Sequence, residues 1–164
     1  MGQIGVYDAF KETMEQMIKH GLLLVSGARG NPMTIGWGSV GRVWGRPVFV
    51  VLVRPSRHTF TFMEETKEFT VNVLADRYTE EITLCGTKSG REMNKIEACG
   101  FTLGKGTFIK APHIAEADVH YECRTVQKTS VVNADLDGGI VKEYYPKGDY
   151  HRVYFGEILG VYRR

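Results

Sequence analysis

Apolar positions along the chain fall mainly into short runs separated by turn residues, a pattern that predicts more strands than helices. Leu22–Ser26 and Phe69–Leu74 are compact apolar runs of the length expected for buried strands. Pro47–Val53 is apolar on both faces, which predicts a strand in the interior of a sheet. Thr34–Trp37 predicts a further short strand, and Tyr150–Tyr162 predicts a long final strand interrupted by glycine.

Helical periodicity is confined to a few segments. Residues 6–20 carry apolar side chains three and four positions apart, which predicts an amphipathic helix that Gly21 would end. A helix is also predicted over Ser89–Ala98, with Gly100 just beyond its end. Two shorter helical segments are predicted at Ser56–Thr66 and Thr79–Leu84.

The second half of the chain is predicted to be mostly β. Asp137-Gly138 lies between the apolar pairs Val131-Val132 and Ile140-Val141, and this pattern predicts a β-hairpin turn. Strands outnumber helices and do not alternate with them. The sequence therefore predicts a mainly β fold, a closed antiparallel barrel formed by one domain over residues 1–164.

Composition and charge narrow the classes of function. Glycine accounts for 19 of the 164 residues, which favours tight turns and close backbone contacts. The net charge of +2 is too small to indicate a nucleic-acid partner. The 3 cysteines form no C-x-x-C pair, and charges interrupt the apolar residues near the start. We expect a cytoplasmic protein in a reducing compartment, without a membrane partner.

Two familiar motifs are rejected on context. The segment Gly36–Gly41 satisfies G-x-G-x-x-G, but Gly45 and Pro47 follow where a dinucleotide-binding fold needs a helix. The histidines show no short metal-ligand spacing, so we expect no metal site. They are His20, His58, His113, His120 and His151.

The segment from Cys85 to Glu92 has the composition of an anion site. Ser89 and Glu92 have capping-box spacing, which predicts a helix that starts at Ser89. Cationic side chains would then lie beside free N–H groups at the positive end of the helix dipole. The segment is consistent either with a well-capped helix alone or with a phosphate site. The residues that would bind phosphate are Lys88, Ser89, Gly90 and Arg91.

A second segment begins at Asn31-Pro32. The proline holds Asn31 extended and lacks an N–H group of its own. The amides of Met33, Thr34 and Ile35 are then free to meet the edge of a flat heterocycle, although a plain turn before a strand explains the same residues. Together the two segments indicate a planar phosphorylated ligand, for which flavin mononucleotide (FMN) is the best candidate.

A third segment, Ser56-Arg57-His58-Thr59, follows the apolar strand over Pro47–Val53. It is either a helix cap or a place where a hydroxyl group and a cation contact a ligand at the end of a buried strand.

These segments, in this order and spacing, resemble the flavin reductase-like, FMN-binding split-barrel family. That family includes flavoredoxin and related NAD(P)H:flavin oxidoreductases. The similarity extends from about Asn31 to Gly160 and includes Phe69–Asn72 and the His151 that precedes Gly156-Glu157-Ile158. Tyr150 stands between Asp149 and His151, where the family often has Gly-Asp-His, so the placement of His151 stays open.

The resemblance implies a six-stranded, Greek-key antiparallel split barrel that forms a homodimer and binds FMN noncovalently. It implies that the segment Met33–Ile35 contacts the isoalloxazine ring, and that Asn72 lies beside the flavin. Asn31 would also contact the cofactor, and His151 would be the catalytic residue near the ring. The phosphate contacts would come from Arg57, His58, Thr59, Lys88, Ser89, Gly90 and Arg91.

Three functions are consistent with the residues. The first is an oxidoreductase that passes electrons from NAD(P)H through FMN to a flavin, ferric or protein acceptor. The second is a non-enzymatic FMN electron carrier that exchanges electrons with proteins. The third is a small nucleic-acid-binding barrel with a basic, stacking face formed by Trp37, Arg42, Trp44 and Arg46.

Overall fold

The computed structural model describes all residues from 1 to 164 and is dominated by β structure. The ten strands are β1 Gly2–Gln3, β2 Leu22–Ser26, β3 Asn31–Ile35, β4 Gly38–Val43, β5 Arg46–Val53, β6 Glu68–Val73, β7 Leu103–Gly104, β8 His113–Ile114, β9 Val119–Ser130 and β10 Arg152–Arg163. The helices are α1 Phe10–Lys19, α2 His58–Thr66, α3 Thr79–Thr87, α4 Lys95–Ala98 and α5 Gly138–Tyr144. None of these helices combines the length and the apolar character needed to span a bilayer.

Eight strands form one antiparallel sheet. The order is β3-β2-β6-β9-β10-β5-β4, and β1 adds to β10. The long strands β9 and β10 lie side by side, and register shifts at Phe155/Gly156 and Ile158/Gly160 bend this central pair. The prediction of a mainly β antiparallel fold is confirmed. The sheet has eight strands and not the six that the resemblance implies, because β1 pairs with β10 and because β3 and β4 stand where one strand at Thr34–Trp37 was predicted.

The sheet wraps around a core of 20 buried residues, and α1 contributes to this core. Met17 of α1 packs in the core, and Thr13 Oγ1 lies 2.7 Å from Tyr121 Oη of β9. This bond satisfies two hydroxyl groups in the interior, where an unpaired one is costly. The helix predicted over residues 6–20 begins only at Phe10, because Asp8 accepts the Gly5 N–H and closes a turn before it.

Strand β2 is buried on both faces, and this determines where α3 lies. Leu22 and Leu24 face the main core, whereas Leu23 and Val25 pack in a second cluster with Ile82 of α3. The Thr34 hydroxyl of β3 donates to the Ile82 carbonyl at 2.5 Å. The packing therefore places the carboxyl end of α3 beside β3.

The helix predicted over Ser89–Ala98 is wrong in its first half. Residues 89–93 form a turn, and the helix that follows is α4, only four residues long. Asn94 caps α4 by accepting the Ile96 and Glu97 N–H groups, whereas the Ser89 hydroxyl accepts the Arg91 N–H within the turn. The capping-box spacing was satisfied by a local turn that competes with a helix.

The hairpin predicted at Asp137-Gly138 is also wrong. Asp137 accepts the Gly139 and Ile140 N–H groups and so caps the start of α5. Aspartate before a short apolar segment serves either as a turn residue or as a helix cap, and here it is a cap. The rejected G-x-G-x-x-G segment leads into strand β4 and not into a helix, so that rejection is confirmed.

Candidate functional site

Two adjoining cavities open beside β3, and they differ in chemistry. The first, of about 330 Å³, is lined by segment 56–59, segment 85–92 and Lys95; we call it the polar cavity. The second, of about 200 Å³, is lined by segment 35–37 together with Leu52, Arg54 and His151; we call it the aromatic cavity. Met33, Thr34 and Arg57 line both, so the two cavities are neighbours.

The polar cavity concentrates positive charge. Its lining includes four cationic side chains against a single carboxylate, that of Glu92. The cations are Arg57, Lys88, Arg91 and Lys95. Cations gathered in a concave site attract an anion and raise its local concentration.

Lys95 is the most unusual of these cations because its side chain is only 4% exposed. Its Nζ donates to the Cys85 carbonyl at 2.9 Å and the Lys88 carbonyl at 3.3 Å, and it forms no ion pair with a carboxylate. Burial, the largest influence, lowers the pKa of Lys95 below its ordinary value. An ammonium group left without a counter-charge at the back of a cavity is what an incoming anion would neutralise.

Two helix ends meet at the polar cavity with opposite polarity. The amino end of α2 is formed by His58 and Thr59, and no side chain caps its free N–H groups, which makes it a ready anion contact. The carboxyl end of α3 is occupied by cations: Arg57 Nη1 donates to the Gly86 carbonyl at 3.3 Å, beside the Lys95 contact. The helix start that lies at the polar cavity is therefore that of α2, and not a helix start at Ser89 as the sequence predicted.

Gly90 brings three predicted segments together. A Cβ atom at this position would overlap Asn31 Oδ1 and lie 3.0 Å from His58 Cδ2. Asn31 Nδ2 in turn donates to Thr59 Oγ1 at 2.7 Å. The turn over residues 89–93 thus packs on both β3 and α2 only because residue 90 has no side chain. Burial, Arg91 and Lys95 lower the pKa of His58, which disfavours the charged form of its imidazole.

The aromatic cavity is lined by the Trp37 ring and by His151. The Trp37 ring contacts Tyr144 edge-on at 5.0 Å between centroids and lies 5.1 Å from the His151 ring. His151 is 9% exposed, and its Nδ1 lies 2.6 Å from Tyr145 Oη. Burial and the nearby Arg54 lower the pKa of His151 to about 4. Its ring is therefore neutral across the physiological range.

The structure brings nearly all the predicted residues to these two cavities. Asn31 does not line either one, but lines an adjoining opening of about 610 Å³ next to Gly90 and Arg91. Those in the polar cavity are Arg57, His58, Thr59, Lys88, Ser89, Gly90 and Arg91. Ile35 and His151 line the aromatic cavity, and Met33 and Thr34 line both.

Asn72 lines none of these three openings. It is fully buried, its Oδ1 accepts the Ile114 N–H at 2.9 Å, and its Nδ2 donates to the Leu23 carbonyl at 3.0 Å. The side chain connects β6 to β2 and β8 and lines neither cavity. The structure thus gives Asn72 a role in holding strands together and does not place it beside the ligand site.

Sequence reasoning missed some residues that line the cavities. Arg54 follows the buried strand β5 directly, so the strand-end signal that singled out Arg57 could also have found it. Lys95 lies where the family that the sequence resembles often has Asp-Lys-Phe and this chain has Asn94-Lys95-Ile96, but that likeness assigned the lysine no role. Trp37 was assigned only to a nucleic-acid surface, whereas it lines the aromatic cavity.

The surface proposed for nucleic-acid binding is divided by its own contacts. Trp44 packs on Phe155 with ring centroids 5.5 Å apart, and Arg46 forms an ion pair with Glu157 at 2.9 Å. Trp37 belongs to the aromatic cavity.

The histidines form no metal site with other side chains. The rings of His113 and His120 stack with centroids 3.9 Å apart, and no group of three or more His, Cys, Asp or Glu side chains is placed to hold a metal ion.

The chain is thus an antiparallel barrel with a cationic cavity and an aromatic cavity side by side. The family model "Flavin reductase like domain" matches residues 14–164, and the chain belongs to this family. An uncharacterized protein of Archaeoglobus fulgidus is 31% identical over 140 residues, which are 85% of this chain and 69% of that protein. An uncharacterized protein of Aquifex aeolicus is 34% identical over 95 residues, 58% of this chain and 40% of that protein.

Solved structures support the fold. Flavoredoxin of Methanosarcina acetivorans has a TM-score of 0.71 at 24% identity, covering 88% of this chain and 69% of its own. Flavoredoxin of Desulfovibrio vulgaris (Miyazaki F) has a TM-score of 0.70 at 19% identity, with the same coverage. A putative flavin reductase with split barrel domain from Shewanella frigidimarina has a TM-score of 0.69 at 17% identity, covering 94% and 73%. The predicted split barrel is therefore confirmed.

Proposed function

We propose that this protein binds FMN noncovalently and acts as a flavin-dependent oxidoreductase. The observation that carries the proposal is the junction of a cationic cavity and a ring-lined cavity, which share Met33, Thr34 and Arg57. FMN consists of a flat ring and a phosphate joined by a flexible chain. Its phosphate would suit the polar cavity, and its ring would suit the aromatic cavity. An FMN-binding protein from Thermus thermophilus, with a TM-score of 0.69 and 19% identity, supports the choice of ligand.

The residues of the polar cavity fit a phosphate dianion. Arg57, Lys88 and Arg91 are exposed cations that can donate charge-assisted hydrogen bonds, and Ser89 adds a hydroxyl group. The free N–H groups at the start of α2 approach from the side of His58 and Thr59. Lys95 supplies a buried charge behind them, so the dianion would meet compensating charge on several sides.

The aromatic cavity fits the ring. Met33, Thr34 and Ile35 line one part of it, and Trp37 and Leu52 supply apolar surface. FMN held by these residues would supply the redox chemistry that links NAD(P)H to a flavin, ferric or protein acceptor. His151 would hydrogen-bond to the ring or to the nicotinamide partner.

A non-enzymatic electron carrier is the second candidate. It is favoured by the exposed aromatic side chains at the aromatic cavity, because Trp37 is 40% exposed and its contact Tyr144 is 41% exposed. Such a rim suits a docking protein. Steady oxidation of NADH or NADPH in the presence of excess flavin or ferric salt identifies the enzyme. Reduction by a ferredoxin-like protein without that turnover identifies the carrier.

Two further properties follow from the family and are part of the proposal. The protein would act as a homodimer in the cytoplasm. Light scattering of the purified protein coupled to size-exclusion chromatography would give the mass of the species in solution, and a mass equal to one chain would contradict the dimer.

The test of FMN binding compares two ligands that differ only in the phosphate group. Protein purified from cells supplied with riboflavin should be yellow, and the flavin-free protein should quench FMN fluorescence on titration. We expect FMN to bind roughly 100-fold more tightly than riboflavin, since two or more charge-assisted contacts are lost with the phosphate. A colourless protein that takes up neither ligand would contradict the proposal, and equal affinities would contradict the role of the polar cavity.

A further inference from the structure

His151 has one ring nitrogen occupied and one free. Its Nδ1 lies 2.6 Å from Tyr145 Oη, whereas no protein group bonds its Nε2. The ring lines the aromatic cavity and is 9% exposed. Nε2 is therefore the polar atom of this side chain that is available to a ligand.

Tyr145 is held firmly in place. It is 4% exposed, its ring stacks on Tyr150 with centroids 4.8 Å apart, and the Arg54 guanidinium lies 4.9 Å from its ring centre. Arg54 also donates to the Tyr144 carbonyl at 2.8 Å and to the Asp149 carbonyl at 2.9 Å. One side chain at the end of β5 thus fixes both ends of the segment that carries Tyr145.

The charges that face His151 are mostly positive. Arg54 and Arg57 both disfavour an imidazolium ion, while Asp149 favours one. The Asp149 carboxylate is engaged elsewhere, because it accepts the Ser56 hydroxyl at 2.6 Å and the Ser56 N–H at 3.2 Å. Burial adds to the effect of the two guanidinium groups, so the neutral ring is favoured.

We propose that Arg54 and Tyr145 are positioning residues that keep His151 as an uncharged imidazole with its Nε2–H directed into the aromatic cavity. A phenol that donates to Nδ1 leaves the ring proton on Nε2. His151 then donates a hydrogen bond to a carbonyl or anionic oxygen of a bound planar ligand, and it does not deliver a proton from an imidazolium ion. The identity of that ligand rests on the proposed function, but the state of His151 does not.

The test is nitrogen NMR of the flavin-free protein labelled in histidine, with the His151 signals identified by their loss in His151→Gln. We expect the wild type to show a proton on Nε2 at pH 7 and a pKa of about 4. In Arg54→Gln the pKa should rise by about one unit, because removing a nearby cation stabilises the imidazolium. In Arg54→Lys, which keeps the charge, it should stay low.

The tyrosine has its own matched pair of variants. In Tyr145→Phe the Nδ1 resonance should move to the position of an unbonded ring nitrogen, and the second tautomer should become populated. Tyr150→Phe removes a phenol from the same segment but keeps the stacked ring, so it should leave both the tautomer and the pKa unchanged. Thermal melting of each variant confirms that it is folded.

Several results would overturn the inference. A proton on Nδ1 in the wild type, a wild-type pKa near 6.5, or an unchanged pKa in Arg54→Gln would each do so. An Nδ1 resonance that is unchanged in Tyr145→Phe would remove Tyr145 from the arrangement. Because these measurements contain no flavin, failure of the proposed function would show separately, as wild-type protein that takes up no FMN.

Discussion

The polar and aromatic cavities adjoin, yet the chain builds them in different ways. The polar cavity comes mainly from two short segments, 56–59 and 85–92, each of which carries its cations and hydroxyl groups within a few residues. The aromatic cavity needs β3, the end of β5 and His151 just before β10, which are distant in sequence. The cations of the polar cavity are thus mostly close together in the sequence. The residues of the aromatic cavity meet only when distant strands pair in the correct register.

Removing charge from the polar cavity should have the largest effect. In the double variant Lys88→Ala/Arg91→Ala we expect FMN affinity to fall about 100-fold, since two charge-assisted contacts of about 1.5 kcal/mol each are lost. Riboflavin affinity should hardly change, because riboflavin has no phosphate. Fluorescence titration with both ligands measures the contrast.

The control for this variant removes the same charge elsewhere. Arg42 and Lys105 are exposed and form no ion pair, so Arg42→Ala/Lys105→Ala has the same net charge as the test variant. Unaltered FMN affinity in Lys88→Ala/Arg91→Ala, or an equal loss in the control, would show that these two cations do not hold the phosphate.

Adding a methyl group at Gly90 should have an intermediate effect. In Gly90→Ala the new Cβ overlaps Asn31 Oδ1, so the turn must move away from β3 and α2. We expect a loss of about 2 kcal/mol in the free energy of unfolding and roughly tenfold weaker FMN binding. Denaturant unfolding and FMN titration measure the two.

Gly138 provides the control for Gly90→Ala, because a Cβ atom at residue 138 would have no atom within 4 Å. Gly138→Ala should therefore leave both quantities close to those of the wild type. If Gly90→Ala behaved like Gly138→Ala, the close packing at residue 90 would have no part in shaping the cavity.

Truncating the aromatic cavity should have the smallest effect and a different ligand dependence. Trp37→Ala removes flat surface worth about 1 kcal/mol, so we expect roughly fivefold weaker binding of FMN and of riboflavin alike. Trp37→Phe should recover part of the loss. A loss seen with FMN but not with riboflavin would place Trp37 with the phosphate and contradict the division between the cavities.

Much of this could be predicted from the sequence, for identifiable reasons. Strand β2 was predicted correctly because a short apolar run between glycines has few alternatives. The candidate binding segments stood out because Ser56–Thr59 follows a buried strand and because Lys88 and Arg91 flank a predicted helix start. Polar residues grouped at strand ends are a local signal, and the structure brought them together.

Some of what failed depended on partners far away in the sequence, and some on local turns and caps that competed with the predicted element. Asn72 was placed beside the ligand, but its side chain is satisfied by the Ile114 N–H, 42 residues away in β8. Ser89 matched a helix start, but Asn94 caps the helix that forms. Arg54 and Tyr145 meet only when the segment after α5 folds back on β5. A local sequence pattern contains no information about contacts between residues that are so far apart along the chain.

The buried ammonium group of Lys95 has a consequence for the stability of the protein. A charge held out of water without a counter-ion weakens the empty fold, and a bound anion would relieve that cost. Any ligand that binds only the folded chain shifts the folding equilibrium in proportion to the logarithm of its concentration. Under the proposed function, FMN would therefore raise the melting temperature of this chain, and the rise should grow with the FMN concentration.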